Sequence, residues 1–293
     1  MIERYLNPEI SSIWDDQNKF NTWKLVQEKY VETLEELNIA ENGTAKKINQ
    51  SVVQKDEVYE QEEITNHDLA SFVDILQKKV GEGSNWIHYG LTSSDIVDSA
   101  NSILIQQSLD YVKDLVKDLL STLHDKAVKE KDTSIIGRTH GVYAEETFLG
   151  NIFGNWHLEV ARGLNRLENS KNNISYGKLS GPVGNHSVVT SEMEKITLDK
   201  LNLKPEQFAN QIVSRDRYAE VVSSLGILAS TYERIATNIR SYQRSEISEM
   251  FESFKDGQKG SSAMPHKKNP IGSERITGLA RIMRSYVNTS LEN

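Results

Sequence analysis

The sequence predicts a bundle of long helices, and three stretches carry that prediction. Between Leu91 and Ile136 there is neither glycine nor proline, and apolar residues from Ile96 and Val97 through Leu104, Val116 and Leu123 to Val128 keep helical spacing. That implies one helix far longer than a globular average. The segments from about Ala144 to Ile174 and from about Glu206 to Phe254 qualify too. Gly226 is the weak point of the latter, because glycine disfavours a helix interior. Helices of this length need partners along their whole length. A chain of 293 residues has few ways to supply them all, so the bundle is expected to be shared between chains.

In chain order, the first segment, through about Leu91, reads as several short helices. Pro8 and Ser11-Ser12 precede Ile13-Trp14, and Phe20, Trp23, Leu25, Val26, Tyr30, Val31, Leu34 and Leu37 then form a core-facing stripe. From Thr44 to Glu63 the composition turns polar. Asn66-His67-Asp68 then leads into a helix through about Val80, where Asn66 or Asp68 is suited to capping. After the turn Gly81-Glu82-Gly83, the run from Ser84 through His88 delivers Thr92, Ser93, Ser94 and Asp95 to the start of the longest helix. An N-cap explains one hydroxyl, not three beside His88. Hydroxyls and open N–H groups at a helix N-terminus suit a carboxylate or phosphate.

Between the first two long helices, Gly137 and Gly141 flank His140 on a tight bend, from which the imidazole is expected to point into a cleft. Histidine is the natural proton donor or acceptor near neutral pH. His124 and His157 read as surface or packing residues, and His186 sits in a turn with no assigned role.

Composition narrows the chemistry. The chain is 37% hydrophobic, enough for a sizeable core in one domain or two. No stretch has the apolar length of a membrane span, and Met1-Ile2-Glu3-Arg4-Tyr5 does not open like a signal peptide, so a cytoplasmic location is expected. There is no cysteine, which excludes disulfides, thiolate metal sites and thiol nucleophiles. A net charge of −8 argues against nucleic-acid partners, and an anionic substrate would need cations gathered locally. No zinc-spaced cluster, phosphate-binding Gly-x-x-x-x-Gly-Lys loop or dinucleotide fingerprint is present, so neither metal nor cofactor is expected.

The richest chemistry lies in Gly257 to Glu274, where Pro265 and Pro270 force a loop. Glycines come first, then the hydroxyls of Ser261 and Ser262, then cations. Such a loop can fold over a carboxylate-bearing substrate, shed water and bring a serine against a carbon acid.

The string Gly260-Ser261-Ser262-Ala263-Met264-Pro265-His266-Lys267-Lys268-Asn269-Pro270 resembles the signature loop of the fumarase/aspartase superfamily. His266 stands where adenylosuccinate lyases and carboxymuconate-cycloisomerase-like proteins carry histidine. With Arg4-Tyr5, Asn66-His67-Asp68, His88 to Ser93 and Gly137-Arg138-Thr139-His140-Gly141 in the same order, the chain resembles the adenylosuccinate lyases over nearly its whole length. The resemblance implies an all-α fold, with a small N-terminal helical domain at 1–92 and a long-helix bundle domain at 93–293. It also implies a homotetramer in which three subunits build each site, and fumarate elimination from adenylosuccinate and from succinylaminoimidazole carboxamide ribotide.

By the same resemblance Ser261 takes the proton from the succinyl β-carbon and His140 donates one to the departing nitrogen. Ser262, Lys267 and Asn269 hold the succinyl part, and Arg4 and Tyr5 grip the phosphate. Asn66, His67, Asp68, His88, Thr92, Ser93 and Gln211 line the site, and Glu274 orients His140 from the neighbouring chain. Four positions depart from the family pattern: Arg275 replaces an Asn, Tyr143 a His, Glu146 a Pro and Asn210 a Thr. The chain stops at Asn293 without the family's later bundle helices and third domain, and is expected to be truncated there. Another fumarate-releasing lyase, a carboxymuconate-type cycloisomerase and a non-catalytic helical oligomer are the alternatives.

Overall fold

The short helices begin where polar caps are available to satisfy amide groups that helix geometry leaves open. The computed structural model describes residues 5–264 and 266–293. In α1 (Pro8–Ile13) proline sits in the first turn and Asn7 Oδ1 accepts from Ile10 N; α2 (Asp16–Glu36) is capped by Asp15. Then follow α3 (Thr44–Gln50), α4 (Lys55–Thr65) and α5 (Asp68–Val80). The apolar stripe of α2 closes against α5, where Phe20, Trp23 and Phe72 meet at ring-centroid distances of 5.2, 5.6 and 6.0 Å.

Each expected long segment contains a long helix, and each helix is shorter than expected. The first, α6 (Ser93–Lys129), stops before Ile136 because Ser134–Thr139 forms β1, antiparallel to β2 (Val142–Phe148). The β-branched Ile135, Ile136, Val142 and Thr147 favour a pleated strand over another helical turn. Consequently α7 (Leu149–Ile174) starts after Ala144, while the third segment is helical only over α9 (Asp216–Tyr242). Between them lie β3 (Tyr176–Gly177), α8 (Ser191–Lys200) and β4 (Lys204–Pro205), with β3 and β4 parallel. A further long helix, α10 (Ile271–Glu292), ends the chain. Apart from these two small sheets the fold of the described residues is all-α.

Two compact units result, residues 1–112 with 171–214 and residues 113–170 with 215–293. This division differs from the boundary expected between residues 92 and 93, since the start of α6 and residues 171–214 group with the N-terminal helices. The first unit has a core of Tyr30, Leu34, Ile48, Leu76, Ile96, Leu179 and Leu198, all buried. In the second, α9 and α10 pack together through the expected weak point. A Cβ on Gly226 would lie 2.4 Å from Val287 Cγ2, so glycine admits the neighbouring helix and α9 continues unbroken. Among the described residues no helix is long and apolar enough to cross a membrane.

Candidate functional site

In the first unit, α4 ends on Asn66 with φ +52°, a left-handed cap that turns the chain into His67. His67 caps α5 by accepting from Ala70 N at 3.4 Å, and Asp68 Oδ1 accepts from Leu69 N at 2.7 Å. The other ring nitrogen of His67, Nε2, lies 3.4 Å from Ser93 Oγ at the start of α6. Two expected binding residues thus meet.

His88 is held differently. Its φ is +64°, and Gln27 of α2 clamps it: His88 N–H donates to Gln27 Oε1 at 3.0 Å, and Nδ1 lies 3.0 Å from Gln27 Nε2. With the amide oxygen taken by a backbone donor, the amide nitrogen must donate. Nδ1 therefore accepts and the ring proton sits on Nε2. Burial, reinforced by the nearby His67, lowers the His88 pKa from 6.5 to about 4, so the ring is neutral at neutral pH.

The N-terminus of α6 rests on buried acids. Asp95 Oδ2 accepts from Thr92 N at 2.8 Å and from Gly181 N at 3.2 Å. Lys178 pairs with Asp95, both side chains having no solvent exposure, and also donates to Gly181 O at 2.8 Å. Burial pushes the Asp95 carboxyl up, and the Lys178 ammonium opposes that shift. Asp98 accepts from Val213 N at 2.9 Å and so anchors the segment carrying Gln211, which is itself exposed. Tyr5 is exposed, and Arg4 lies outside the described residues.

In the second unit, His140 and Gly141 form the two-residue turn between β1 and β2, with φ of +56° and +80°. Positive φ at both positions is the pattern of a type I′ turn, whose twist matches that of its strands. The turn puts His140 at the outer tip of a two-stranded ribbon, exposed rather than directed into the cleft expected for it. Arg138 fixes the ribbon by donating to both Glu249 oxygens at 2.8 and 2.7 Å, with its guanidinium 5.1 Å from the Tyr143 ring centre. Such a fork restricts orientation as well as distance. Arg138 also holds the Glu249 carboxyl below its usual range.

The signature loop is pinned at its neck. Gly260 is buried, a Cβ there would lie 2.4 Å from Lys267 O, and Asn269 Nδ2 donates to Gly260 O at 2.7 Å. Only glycine tolerates that crossing. Ser261, half-buried, accepts at Oγ from Ala263 N at 3.3 Å and Met264 N at 3.2 Å; Ser262 and Lys267 are exposed. Glu252 caps α10 by accepting from Gly272 N at 3.1 Å and Ser273 N at 2.6 Å, and the first turn of α10 carries exposed Glu274. Lys267, Asn269 and Glu274 line one groove of about 750 Å³. Among the described residues, no hydrogen bond joins His140 to Ser261 or to Glu274.

The lyase family matches residues 13–283 of the chain. Adenylosuccinate lyase of Thermotoga maritima is 43% identical over 294 residues, covering 100% of this chain and 68% of that relative. Its Bacillus subtilis counterpart is 40% identical, again covering 100% of this chain and 68% of the relative. The chain belongs to the lyase family, with the adenylosuccinate lyases. It spans about two thirds of the length of these relatives. Among solved structures, the 3-carboxy-cis,cis-muconate lactonizing enzyme of Pseudomonas putida superposes with a TM-score of 0.87 at 22% identity, covering 97% of this chain and 66% of that one. A fumarate lyase from Mesorhizobium sp. BNC1 gives 0.85 at 20% identity, covering 98% and 66%. At those identities the likeness shows the lyase fold alone.

Several residues that shape this lyase chain escaped the sequence reading. Gln27 reads as one more polar position beside the α2 stripe, although it is fully buried and sets the tautomer of His88. Arg138 lies inside a motif read for its histidine, and its partner Glu249 is far along the chain. Nothing in the sequence around Glu252 marks it as the cap of α10. Asn269, expected to hold substrate, closes the neck of the lyase loop with its side-chain amide.

Proposed function

We propose that the chain carries the elimination chemistry of an adenylosuccinate lyase, releasing fumarate from adenylosuccinate to leave AMP, and from succinylaminoimidazole carboxamide ribotide to leave its amide. Ser261 removes the proton from the succinyl β-carbon. The C–H electron pair becomes the carbon–carbon double bond of fumarate as the C–N bond breaks, and His140 gives the departing nitrogen its proton. Support comes above all from Ser261, whose Oγ accepts two backbone N–H bonds. Donors aimed at a hydroxyl oxygen favour its ionised form, which the base must adopt to act on a weak carbon acid.

Ser262, Lys267 and Asn269 hold the succinyl carboxylates, and Arg4 and Tyr5 the phosphate. Asn66, His67, Asp68, His88, Thr92, Ser93 and Gln211 line the nucleotide. His88, neutral with its proton on Nε2, offers one donor without adding charge. Glu274 orients His140 from a neighbouring chain, in a homotetramer whose sites combine three subunits. The exposure of His140, and the absence among the described residues of a hydrogen bond from it to Ser261 or Glu274, favour that arrangement.

Fumarate release followed by absorbance, beside sedimentation of the same sample, tests the proposal. Turnover from a tetramer is expected, and Ser261→Ala and His140→Ala should each lower it at least about a hundredfold with helical circular dichroism unchanged. A folded chain releasing no fumarate, or either variant at full rate, would remove the reading.

A further inference from the structure

The chain carries a net charge of −8, yet one groove in the second unit collects cations. Arg240 from the last turn of α9, Arg244 just beyond it, and Lys267 and Lys268 of the loop line it against the carboxylate of Glu274. A cation in a helix's last turn complements the carbonyl end, which accounts for Arg240 and for none of the others. Three arginines elsewhere in this unit are paired: Arg138 with Glu249, Arg234 with Glu159 and Arg284 with Glu233. Among the described residues, Arg240, Arg244, Lys267 and Lys268 have no carboxylate within ion-pair distance. Arg240 Nη1 reaches Thr277 Oγ1 at 3.4 Å, and Lys268 Nζ lies 5.7 Å from the Phe254 ring centre. The hydroxyls of Ser241 and Ser245 complete a wall able to donate to an anion, beside Ser248, whose hydroxyl donates to Ser245 O at 3.1 Å.

Four like charges facing a single carboxylate still repel one another, and a ligand carrying two negative charges relieves more of that repulsion than one carrying a single charge. We infer that Arg240 and Arg244 join Lys267 in a binding site for a small dianion, taking a doubly charged end of substrate or product. This rests on reading the Lys267 loop as the anion-binding loop of a lyase. Dicarboxylates and phosphate groups share the required chemistry.

Isothermal titration of the full chain at low salt, with fumarate, inorganic phosphate and acetate as separate probes, tests it without requiring turnover. The dianions should bind more tightly than acetate, and whichever of fumarate and phosphate binds better identifies the source. Replacing both arginines (Arg240→Gln with Arg244→Gln) should weaken that binding at least about tenfold, a loss expected for charge-assisted hydrogen bonds. Lys131→Ala, which removes an exposed charge elsewhere in the unit, should leave it unchanged. Wild-type affinity in the double-arginine variant overturns the inference; if Lys267→Ala then still weakens binding, the loop reading survives without it. A wild-type chain that binds neither dianion overturns the inference together with the anion-binding loop.

Discussion

The two units treat charge in opposite ways. Beneath the Thr92 and Ser93 turn of the first unit, Asp95 and Lys178 are sealed from solvent, His88 is clamped by Gln27 and kept neutral by burial, and Asp98 holds the Gln211 segment. In the second unit His140 stands exposed on a hairpin tip, and among the described residues Arg240, Arg244, Lys267 and Lys268 have no carboxylate within ion-pair distance. Where charge is buried and paired, removing one partner should damage folding. Where it is exposed and unpaired, the same kind of change should damage binding and leave folding nearly intact.

The strongest way to break this contrast is Lys178→Met, which strands the Asp95 carboxylate in the interior. Urea denaturation should show a loss of about 3–5 kcal/mol, largely recovered when Asp95→Asn is added. A stable single variant would mean that the first unit does not depend on its buried charge.

A somewhat smaller effect concerns pH. Because the His88 pKa falls from 6.5 to about 4 on folding, the unfolded chain takes up the proton first as pH drops. The stabilisation is therefore complete above pH 6.5 and declines as pH falls toward 4, by roughly 3 kcal/mol in all. Thermal melting across that range should show the decline, and His88→Gln should flatten it; parallel curves for the two proteins would deny His88 the role. The smallest effect belongs to the second unit. Glu252→Ala should cost about 1 kcal/mol, as for loss of a helix cap, visible as faster hydrogen exchange confined to the start of α10.

The long helices were legible because an unbroken apolar period needs no tertiary information, as from Ile96 to Val128. Their ends were not, since the β1–β2 hairpin depends on Ser134–Thr139 finding Val142–Phe148, and only the product of that pairing ends α6 early. Gly226 shows the same limit: propensity marks it as a weakness, while the packing of Val287 makes it a requirement. The signature loop stood out through its residue string, as did the residues around His67, His88 and His140. Gln27, Lys178 and Glu249 did not, because each acts through a partner distant in sequence, and a polar residue's burial is invisible until the fold supplies that partner.

The pinned neck of the signature loop also divides its mobility. Gly260 is fixed by the crossing chain and by Asn269, and Ser261 is its immediate neighbour, so the Ser261 Cα stays about 3.8 Å from a stationary point however the loop moves. Lys267 and Lys268 belong to the same crossing, and Met264, between the two sides of the neck, has a longer tether. Substrate traffic can therefore displace the outer loop while the proposed base and the lysines at the neck pivot in place and need not be rebuilt at each cycle.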